Sequence, residues 1–472
     1  SVAGAGAILS VNVDGTCLSK NWTGATNTPT FAGTSALSLY GSLTFISGMT
    51  QTYSRTIYFQ ATTAGWTVTA GSTLTCNLNF YQTGGWTLQD TLNIGSKTLT
   101  HSKGTLNTNG QTVTCGTFLE SSTADRTLTL GASVINIPAW NYSGSSLTLT
   151  ANTSTINVSG TGAFVGGSIT TYNNINLNGT SHTVSGSFTC AVLTRNGTAT
   201  KTDSVTFTSG TTITCTTFAM IGNSATNRLL VQSSILGSPV TITATNWTGT
   251  ANADFMDSTA TNAVDLSAIT GLSGDCGGNT GITFTAATAQ TLSATGSWSD
   301  VTKWTSRVPL PQDDVSAGGA GITITVDMPR IGKSITFTGT PTVSLSYDIS
   351  NYGSFTLVTG LTYTHNNKAN FFRGRSAYTL TSGGKDLSQP VLYAPTGTLT
   401  LQDNLTISSQ LSLVNGTLDF NNKDVTATVF SASYSYTRTL ILGSSTITLN
   451  GTALGTKWNL DTTTNLTFSA GT

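Results

Sequence analysis

The sequence is poor in charge and proline, and these shortages narrow what the chain can be. Charged residues make up 8% of the 472 residues, and 19 basic side chains balance 19 acidic ones to a formal net charge of zero. A chain with scattered basic residues and no basic excess lacks the electrostatic footprint of a nucleic-acid or anionic-lipid binder. Low charge with only 9 prolines also argues against disorder. We therefore expect a folded protein without a nucleic-acid partner.

Long apolar runs and helical periodicity are missing as well. No stretch approaches the roughly 20 consecutive apolar residues of a membrane-spanning helix, so we expect no membrane insertion. Single apolar residues instead alternate with Thr and Ser, as in strands with one buried face and one wet face. Short strands separated by Gly, Asn and Ser are predicted at, among others, residues 72–78, 86–94, 112–118, 126–130, 147–151 and 204–208. The sequence predicts an all-β fold.

A long internal repeat is what the sequence does contain. Residues 104–133 and 416–445 are identical at 14 of 30 positions without a gap, at an offset of 312 residues. The same offset aligns Tyr40-Gly41-Ser42 with Tyr352-Gly353-Ser354, which indicates that one long unit has been duplicated. We predict a first repeat unit at 1–284 and a second, truncated repeat unit at 285–472. The first unit lacks the Trp- and Pro-rich introductory segment that the second unit carries at 298–315. Neither Ser1 nor Thr472 is expected to be a natural end of the array.

A shorter sequence motif recurs inside each copy and predicts the architecture. It begins with Phe and ends with Arg ahead of an apolar strand, at Phe118 to Arg126, Phe218 to Arg228, and Phe430 to Arg438. Repeats within repeats are typical of solenoids, whose coils bury their apolar faces only by stacking on one another. We predict a long stacked parallel β-solenoid (a β-helix), with tandem β-sandwich domains as the alternative. The recurring arginines should bind backbone carbonyls or a neighbouring carboxylate.

Cysteine is absent from the second copy. All six cysteines lie in the first copy: Cys17, Cys76, Cys115, Cys190, Cys215 and Cys276. At the 312-residue offset, Ser388 and Ala427 take the places of two of them, so the fold cannot depend on disulfides there. We predict that the cysteines are small core residues.

Side chains of a strand point alternately to its two faces, which predicts the orientation of the leucines near the recurring arginines. Leu128, Leu130, Leu440 and Leu442 should point inward and the intervening Thr residues outward.

One segment carries a family resemblance. Trp298-Ser299-Asp300 is followed by Trp304, Pro309 and Asp313-Asp314-Val315, and then by a strand rich in Thr and Ile. This motif resembles the opening of β-solenoid repeats in large bacterial surface proteins and in fibre-like virion proteins of tailed phages. Segments 172–177 and 275–284 are similar to later parts of such repeats. The resemblance implies a structural or adhesive role outside the cell and transfers no catalytic residue.

Residues that could carry chemistry are few. The three histidines, His101, His182 and His365, stand among Thr, Ser and Asn and are interpreted as solvated surface residues. Because phage solenoids can be depolymerases, Asp254 with Asp257 and Asp313 with Asp314 are conceivable glycosidase pairs. Adjacent strand residues face opposite ways, so Asp313 and Asp314 should not share a site if they lie in a strand. Turn or capping roles are favoured for these acids, and we predict a protein that is not an enzyme.

Two kinds of binding residue remain as hypotheses. Asp254, Asp257, Asp265 and Asp275, with nearby Asn and Gly carbonyls, could hold Ca²⁺ in a loop, although their spacing matches no calcium motif. No other cofactor is expected. Tryptophans could form sugar-stacking platforms, with core packing as the alternative, at Trp22, Trp86, Trp140 and Trp247.

These observations favour a structural and adhesive fibre protein displayed outside the cell, on a phage virion or a bacterial surface. Its expected partners are further copies of itself, neighbouring assembly proteins and surface glycans. A tailspike-like glycan depolymerase or lyase on a β-helix is one alternative, and it requires a clustered acid pair in a groove. A glycan-binding module without turnover is the other. Glycan binding without product release would separate these two alternatives.

Overall fold

The structure is a computed structural model that describes residues 7–26, 28–119, 122–142, 144–167, 169–451 and 456–470. It is nearly all β, and its stacked parallel strands form a β-solenoid of about 21 turns. Within these ranges one 3-10 helix, Val301–Lys303, is present. The solenoid prediction is therefore confirmed, because β-sandwich domains would be built from antiparallel sheets. The predictions about Ser1 and Thr472 lie outside the described residues.

The chain divides into two compact units. The first comprises Ser1–Thr198, Ser204–Ile221 and Val240–Thr250, and the second comprises Ala199–Asp203, Gly222–Pro239 and Ala251–Thr472. These units are defined by packing, whereas the repeat units 1–284 and 285–472 are defined by sequence similarity. The repeat-unit boundary stays a prediction.

The described strands of the first compact unit fall into four sheets, in each of which the strands stack in chain order. One sheet contains Ile8–Val11, Thr30–Gly33 and Thr50–Gln51. Another contains Gly15–Cys17, Leu37–Leu39, Thr56–Phe59, Asn77–Phe80, Thr98–His101, Thr117–Leu119, Trp140–Asn141, Phe164–Val165, His182–Ser185 and Ser204–Phe207. A third contains Lys20–Asn21, Leu43–Thr44, Trp66–Thr69, Gly85–Leu88, Gly104–Asn107, Arg126–Thr129 and Leu147–Thr150. The fourth contains Leu92–Asn93, Val113–Thr114, Val134–Ile137, Thr155–Val158, Asn174–Leu177, Phe188–Asn196, Thr212–Ile221 and Val240–Asn246.

Strands of the second compact unit are also parallel and stacked. Its first coils contain Leu229–Ser233, Ala253–Met256 and Ser273–Asp275, and beside them Ser258–Asp265 and Thr280–Thr283. The main path of the large sheet that follows contains Gln290–Leu292, Val315–Val326, Ile335–Leu345, Phe355–Thr356, Ala377–Thr381, Gln389–Leu401, Gln410–Asp419, Val429–Ser431 and Trp458–Asn459. Off that path lie Gly296–Ser297, Ile349–Asn351, Thr362–Thr364, Ala369–Phe372, Arg438–Gly443 and Leu466–Ala470. A further sheet contains Leu405–Thr406, Val425–Ala427 and Ile447–Leu449.

Inward-facing residues of successive coils lie above one another and form the core. Ile135 pairs in register with Ile156, which pairs with Ile175 on the next coil. All three are buried. Burying a side chain of this size contributes about 1.5–3 kcal/mol, so each coil is stabilised by the coils on either side of it. Alternation in the sequence is thus what fills the core.

Outward-facing residues form ladders of their own. Asn136, Asn157 and Asn176 occupy one column of the first compact unit. The side-chain amide of Asn157 donates to Asn136 Oδ1 at 2.9 Å, and that of Asn176 donates to Asn157 Oδ1 at 2.9 Å. Each amide can both donate and accept, so the column bonds these three coils to one another and fixes their register.

The two copies of the repeat occupy equivalent places on their coils. Gly104 pairs with Arg126, and Gly416 pairs with Arg438, which is the same pairing moved by 312 residues. Both arginines are buried, and each donates its Nε to the carbonyl oxygen two residues before it, at 3.2 Å for Arg126 and 2.8 Å for Arg438. The predicted structural role of these arginines is confirmed, since their guanidinium groups satisfy backbone carbonyls.

Two other contacts recur at the repeat offset. Ser42 Oγ accepts the backbone N–H of Thr67 at 3.0 Å, and Ser354 Oγ accepts that of Thr379 at 3.1 Å. A carboxylate caps the chain near each of these contacts. Asp90 accepts the N–H groups of residues 70 and 71, and Asp403 accepts those of residues 382 and 383, all at 2.7 Å. The donors are again 312 residues apart.

The predictions for leucine and cysteine are confirmed except at Leu442 and Cys17. Leu128, Leu130 and Leu440 are fully buried, but Leu442 is only half-buried against the core. All six cysteines are free thiols, and all except the half-buried Cys17 are buried. They therefore act as small apolar residues, in agreement with their replacement by Ser and Ala in the second copy.

Candidate functional site

The tryptophans singled out as sugar platforms lie in the core. Their exposed fractions are 2%, 1%, 2% and 7% for Trp22, Trp86, Trp140 and Trp247. The indole N–H of Trp86 donates to the Gly41 carbonyl at 3.1 Å, and that of Trp140 donates to the Tyr172 hydroxyl at 3.2 Å. Stacking on a sugar requires an exposed ring face, so the burial assigns these four residues to core packing.

Two of the histidines are not surface residues, and that prediction was wrong for them. His101 and His182 are fully buried. Nε2 of His101 lies 3.1 Å from the Gly104 carbonyl oxygen, and Nδ1 of His182 lies 3.0 Å from that of Gly162. A carbonyl can only accept, so these nitrogens carry the hydrogen. The third histidine, His365, is half-buried, with Nε2 at 3.5 Å from a carboxylate oxygen of Asp386.

The neighbouring acids Asp313 and Asp314 face opposite ways, although both precede the strand Val315–Val326 and do not lie in it. Asp313 is fully buried, with an oxygen 2.6 Å from Nη2 of Arg307. Its Oδ2 also accepts the backbone N–H of Leu310 at 2.9 Å, which closes a tight turn. Asp314 is exposed and accepts the N–H of Ser334 at 3.2 Å. The two carboxylates thus have separate partners and do not form an acid pair.

A buried ionic centre occupies the second compact unit. The carboxylate of Asp254 is 1% exposed and lies between two guanidinium groups. Arg228 donates its Nε to Oδ1 at 2.7 Å, and Arg330 donates its Nε to Oδ2 at 2.7 Å. Arg228 also donates to the carbonyl oxygens of Gly271 and Leu272, at 2.7 and 3.0 Å. We call Arg228, Asp254 and Arg330 the arginine centre.

The electrostatics of the arginine centre hold Asp254 ionised. Burial alone would raise its pKa, but the two guanidinium groups and their hydrogen bonds outweigh that effect and lower the pKa below its ordinary value. A glycosidase acid needs a raised pKa so that it is protonated at neutral pH. Asp254 has the opposite shift and is a structural counter-ion.

The other acids considered for calcium are engaged separately. Asp257 Oδ2 accepts from Nη2 of Arg375 at 2.8 Å, and Asp265 Oδ1 accepts the N–H of Ser267 at 2.8 Å. Asp275 Oδ1 accepts from the Asn279 side-chain amide at 2.7 Å. Among the residues that the structure describes, no three His, Cys, Asp or Glu side chains are grouped as a metal site would require. The proposed Ca²⁺ ligands therefore do not converge on one point.

A cavity of about 250 Å³ lies close to the arginine centre in the second compact unit. Its walls include three cationic side chains, Lys333, Arg373 and Arg375, and the carboxylate of Asp275. Arg373 is held over the Tyr393 ring at 5.4 Å. The thiol of Cys276 also lines the cavity, and burial raises its pKa to about 12, so it is not a nucleophile at neutral pH. We call this space the basic cavity.

The basic cavity presents Lys333 and Arg373 to an anionic group, while Arg375 is paired with Asp257. Sequence reasoning missed this cavity. A guanidinium binds a carboxylate or phosphate through paired hydrogen bonds, and a lysine adds a point charge. A signal was present in the segment Phe371-Phe372-Arg373-Gly374-Arg375, which places two arginines within three residues of a chain that is only 8% charged. The contribution of Lys333, 40 residues earlier, depends on how the coils stack and has no local signal.

No protein-family model, no curated protein and no solved structure matches this chain. In the part of the chain that the structure describes, no helix is long and apolar enough to cross a bilayer. The resemblance to bacterial surface and virion proteins accordingly rests on the sequence motifs alone. The β-solenoid itself rests on the structure.

Proposed function

We propose that this chain is a structural and adhesive extracellular protein, displayed on a virion or a cell surface and in contact with surface glycans. The structural role is supported by the contacts that recur at the 312-residue offset. Repeating the same coil contacts extends a β-ladder without changing its packing, which is what a stiff spacer or fibre needs. This recurrence is the observation that carries the proposal.

Adhesion is supported by the chemistry of the outer faces. The strand positions that are not buried are occupied mainly by Thr, Ser and Asn, and the chain has few charges. Hydroxyl and amide groups can both donate and accept hydrogen bonds, which suits contact with polyhydroxylated ligands. The basic cavity favours a second, narrower role, in which a carboxylate-bearing glycan is bound without turnover.

We do not propose the depolymerase alternative through Asp254 and Asp257. Each of these carboxylates is bound to arginine, and the pKa of Asp254 is lowered. A retaining or inverting glycosidase needs one of its two acids protonated before the reaction begins. A depolymerase on this scaffold would have to use other residues.

The adhesive role is tested by offering the full chain to immobilised neutral and acidic polysaccharides. Retention on the surface and the release of oligosaccharides into solution are measured in the same samples. Retention without release is the expected result. Release of oligosaccharides would replace the proposal with the depolymerase, and an absence of retention on all surfaces would remove the adhesive role.

The structural role is tested by stretching single molecules tethered at both ends. Coils are about 20 residues long, so we expect extension in steps of roughly 70 Å or multiples of it, one coil or group of coils at a time. Smooth extension at negligible force would show that stacking provides no mechanical resistance, and it would overturn the structural role without affecting the adhesive one.

A further inference from the structure

We propose that a groove on the outer face of the first compact unit binds a neutral glycan through exposed tyrosines. This inference rests on the proposed adhesive function and names the site and the ligand class. The groove has a volume of about 490 Å³, and its lining includes Asp14, Thr16, Ser38, Tyr58, Gln60 and Tyr81. We call it the tyrosine groove.

Strand geometry places the aromatic rings on the outside. In the strand Thr56–Phe59, Ile57 and Phe59 are fully buried, so Tyr58 between them faces outward. Tyr58 pairs in register with Ser38 on the preceding coil. Ser38 in turn pairs with Thr16, so a polar column leads along the groove to the Tyr58 ring.

A second column runs beside the first. Leu39, Phe59 and Phe80 are paired across three successive coils. The residues that follow them, Tyr40, Gln60 and Tyr81, therefore succeed one another on the outside. The exposed fractions are 42% for Tyr40 and 49% for Tyr81, which is high for aromatic side chains on a sheet whose inward positions are filled.

The two rings that line the groove are held at right angles. The centroids of Tyr58 and Tyr81 are 6.1 Å apart, and their planes meet at 88°. An edge-to-face pair of this kind is favourable and limits the motion of both rings. Both rings are thus held in place before a ligand enters the groove, which reduces the entropy lost on binding.

Polar groups in the groove are also fixed in advance. Gln60 donates its side-chain amide to Ser38 Oγ at 2.8 Å, and its Oε1 accepts from the Tyr40 hydroxyl at 3.4 Å. Asp14 Oδ1 accepts the N–H of Ala36 at 3.0 Å, which orients the carboxylate that lines the groove. Amide, hydroxyl and carboxylate groups beside aromatic rings provide both hydrogen bonding and apolar contact for a sugar.

The charge of the groove selects the ligand class. Asp14 is the one charged side chain among the described residues that line the groove, and it is negative. An acidic glycan would meet repulsion there, whereas the hydroxyl groups of a neutral glycan can donate to the carboxylate. We therefore assign neutral glycans to the tyrosine groove, in contrast to the carboxylate-bearing glycans that suit the basic cavity.

The test compares full-length variants on arrays of neutral and acidic oligosaccharides, followed by calorimetry with the best neutral hexasaccharide. We expect Tyr58→Ala/Tyr81→Ala to weaken neutral-glycan binding by about tenfold or more, since both ring surfaces are lost. Tyr81→Phe keeps the ring and should stay within about twofold of wild type. Tyr434→Ala, a half-buried tyrosine of the second compact unit, is the matched control and should leave binding unchanged.

Each result leads to a distinct conclusion. If neutral-glycan binding survives the double substitution, the tyrosine groove is not the binding site, but the adhesive function stands. The same conclusion follows if the wild type binds acidic glycans alone. Binding of no glycan overturns both. If the wild type self-associates and the double variant does not, the groove is an interface between copies of the chain, and the glycan assignment is overturned. Should the double variant fail to fold by circular dichroism, Tyr81→Ala alone provides the measurement, because that ring is half exposed.

Discussion

Replacing Asp254 by Asn should destabilise the second compact unit strongly, because it removes the charge at the middle of the arginine centre. The substitution preserves shape and leaves no cavity. It leaves the side chains of Arg228 and Arg330, which are 4% and 7% exposed, without their counter-ion. Removing one partner of a buried ion pair costs about 3–5 kcal/mol. Arg228 keeps its hydrogen bonds to backbone carbonyls, so we expect the lower end of that range, about 3 kcal/mol.

Hydrogen exchange measured by mass spectrometry reports this change locally in the full chain. Peptides from the strand Ala253–Met256 should lose protection equivalent to about 3 kcal/mol, and the melting temperature should fall by about 6–12 °C. Asp314→Asn is the matched control, because that carboxylate is exposed, and it should change protection by less than about 0.5 kcal/mol. If Asp254→Asn stays within about 1 kcal/mol of wild type, the centre does not stabilise the fold and our reasoning is refuted.

Acidification provides a second measurement of the same centre. The folded-state pKa of Asp254 is lower than its value in the unfolded chain, which is about 3.9. Its contribution to stability is therefore complete above about pH 5, and it is lost as the pH falls through the folded-state pKa. As the pH falls below about 4, the stability difference between the wild type and the Asn variant in urea denaturation should shrink, and it should vanish below the folded-state pKa. A stability difference that stays constant down to about pH 2 would contradict the assignment.

Three further predictions use contacts described above, and each is checked in the full chain. Leu130→Asp should lower the free energy of unfolding in urea by several kcal/mol, because it buries an unpaired charge. Leu442→Asp, at the equivalent but half-buried position, should lower it clearly less. Equal losses would contradict the difference in burial between the two leucines. Asp90→Asn and Asp403→Asn should each lower the free energy of unfolding by about 1–2 kcal/mol, because each weakens two hydrogen bonds from backbone N–H groups to a carboxylate. A difference between the two losses of more than about 1 kcal/mol would count against the equivalence of the two copies. An aromatic disulfide reagent should modify Cys17 first in the native protein and all six thiols in urea, and a second fast native thiol would show that the core is more open than the structure indicates.

Much of the fold was predictable because its signals are local or repeated at a fixed offset in the sequence. Alternation with period two predicted strands near their observed places, such as 126–130 for Arg126–Thr129 and 147–151 for Leu147–Thr150. The 312-residue offset predicted equivalent coils, and the pairings of Arg126 and Arg438 agree with it. Both signals depend on the order of residues along the chain, so no knowledge of the stacking was needed to read them.

The buried polar residues were harder to predict. His101 follows Leu99 at the strand spacing of two, so its inward orientation could have been read from the phase of the alternation. Its Thr and Ser neighbours suggested a turn instead. Arg228 and Arg330 are in contact although they are 102 residues apart in the sequence. Because the coils differ in length, residues that meet across several coils are not separated by a fixed number of residues, so the sequence alone did not predict this contact. The tyrosine groove is intermediate, because the phase of Tyr58 was readable but the grouping of Tyr58 with Tyr81 required the stacking register.

The recurrence of contacts at one offset also has a genetic consequence. A recombination event between the DNA segments that encode residues 104–133 and 416–445 would join a strand of one copy to the equivalent strand of the other. Because Gly104 pairs with Arg126 as Gly416 pairs with Arg438, the joined coil would keep its inward and outward alternation and its arginine contacts. Deletion or gain of a whole copy would then change the length of the protein in steps of 312 residues. Each remaining coil would still pack against a coil with the same pattern of inward and outward residues.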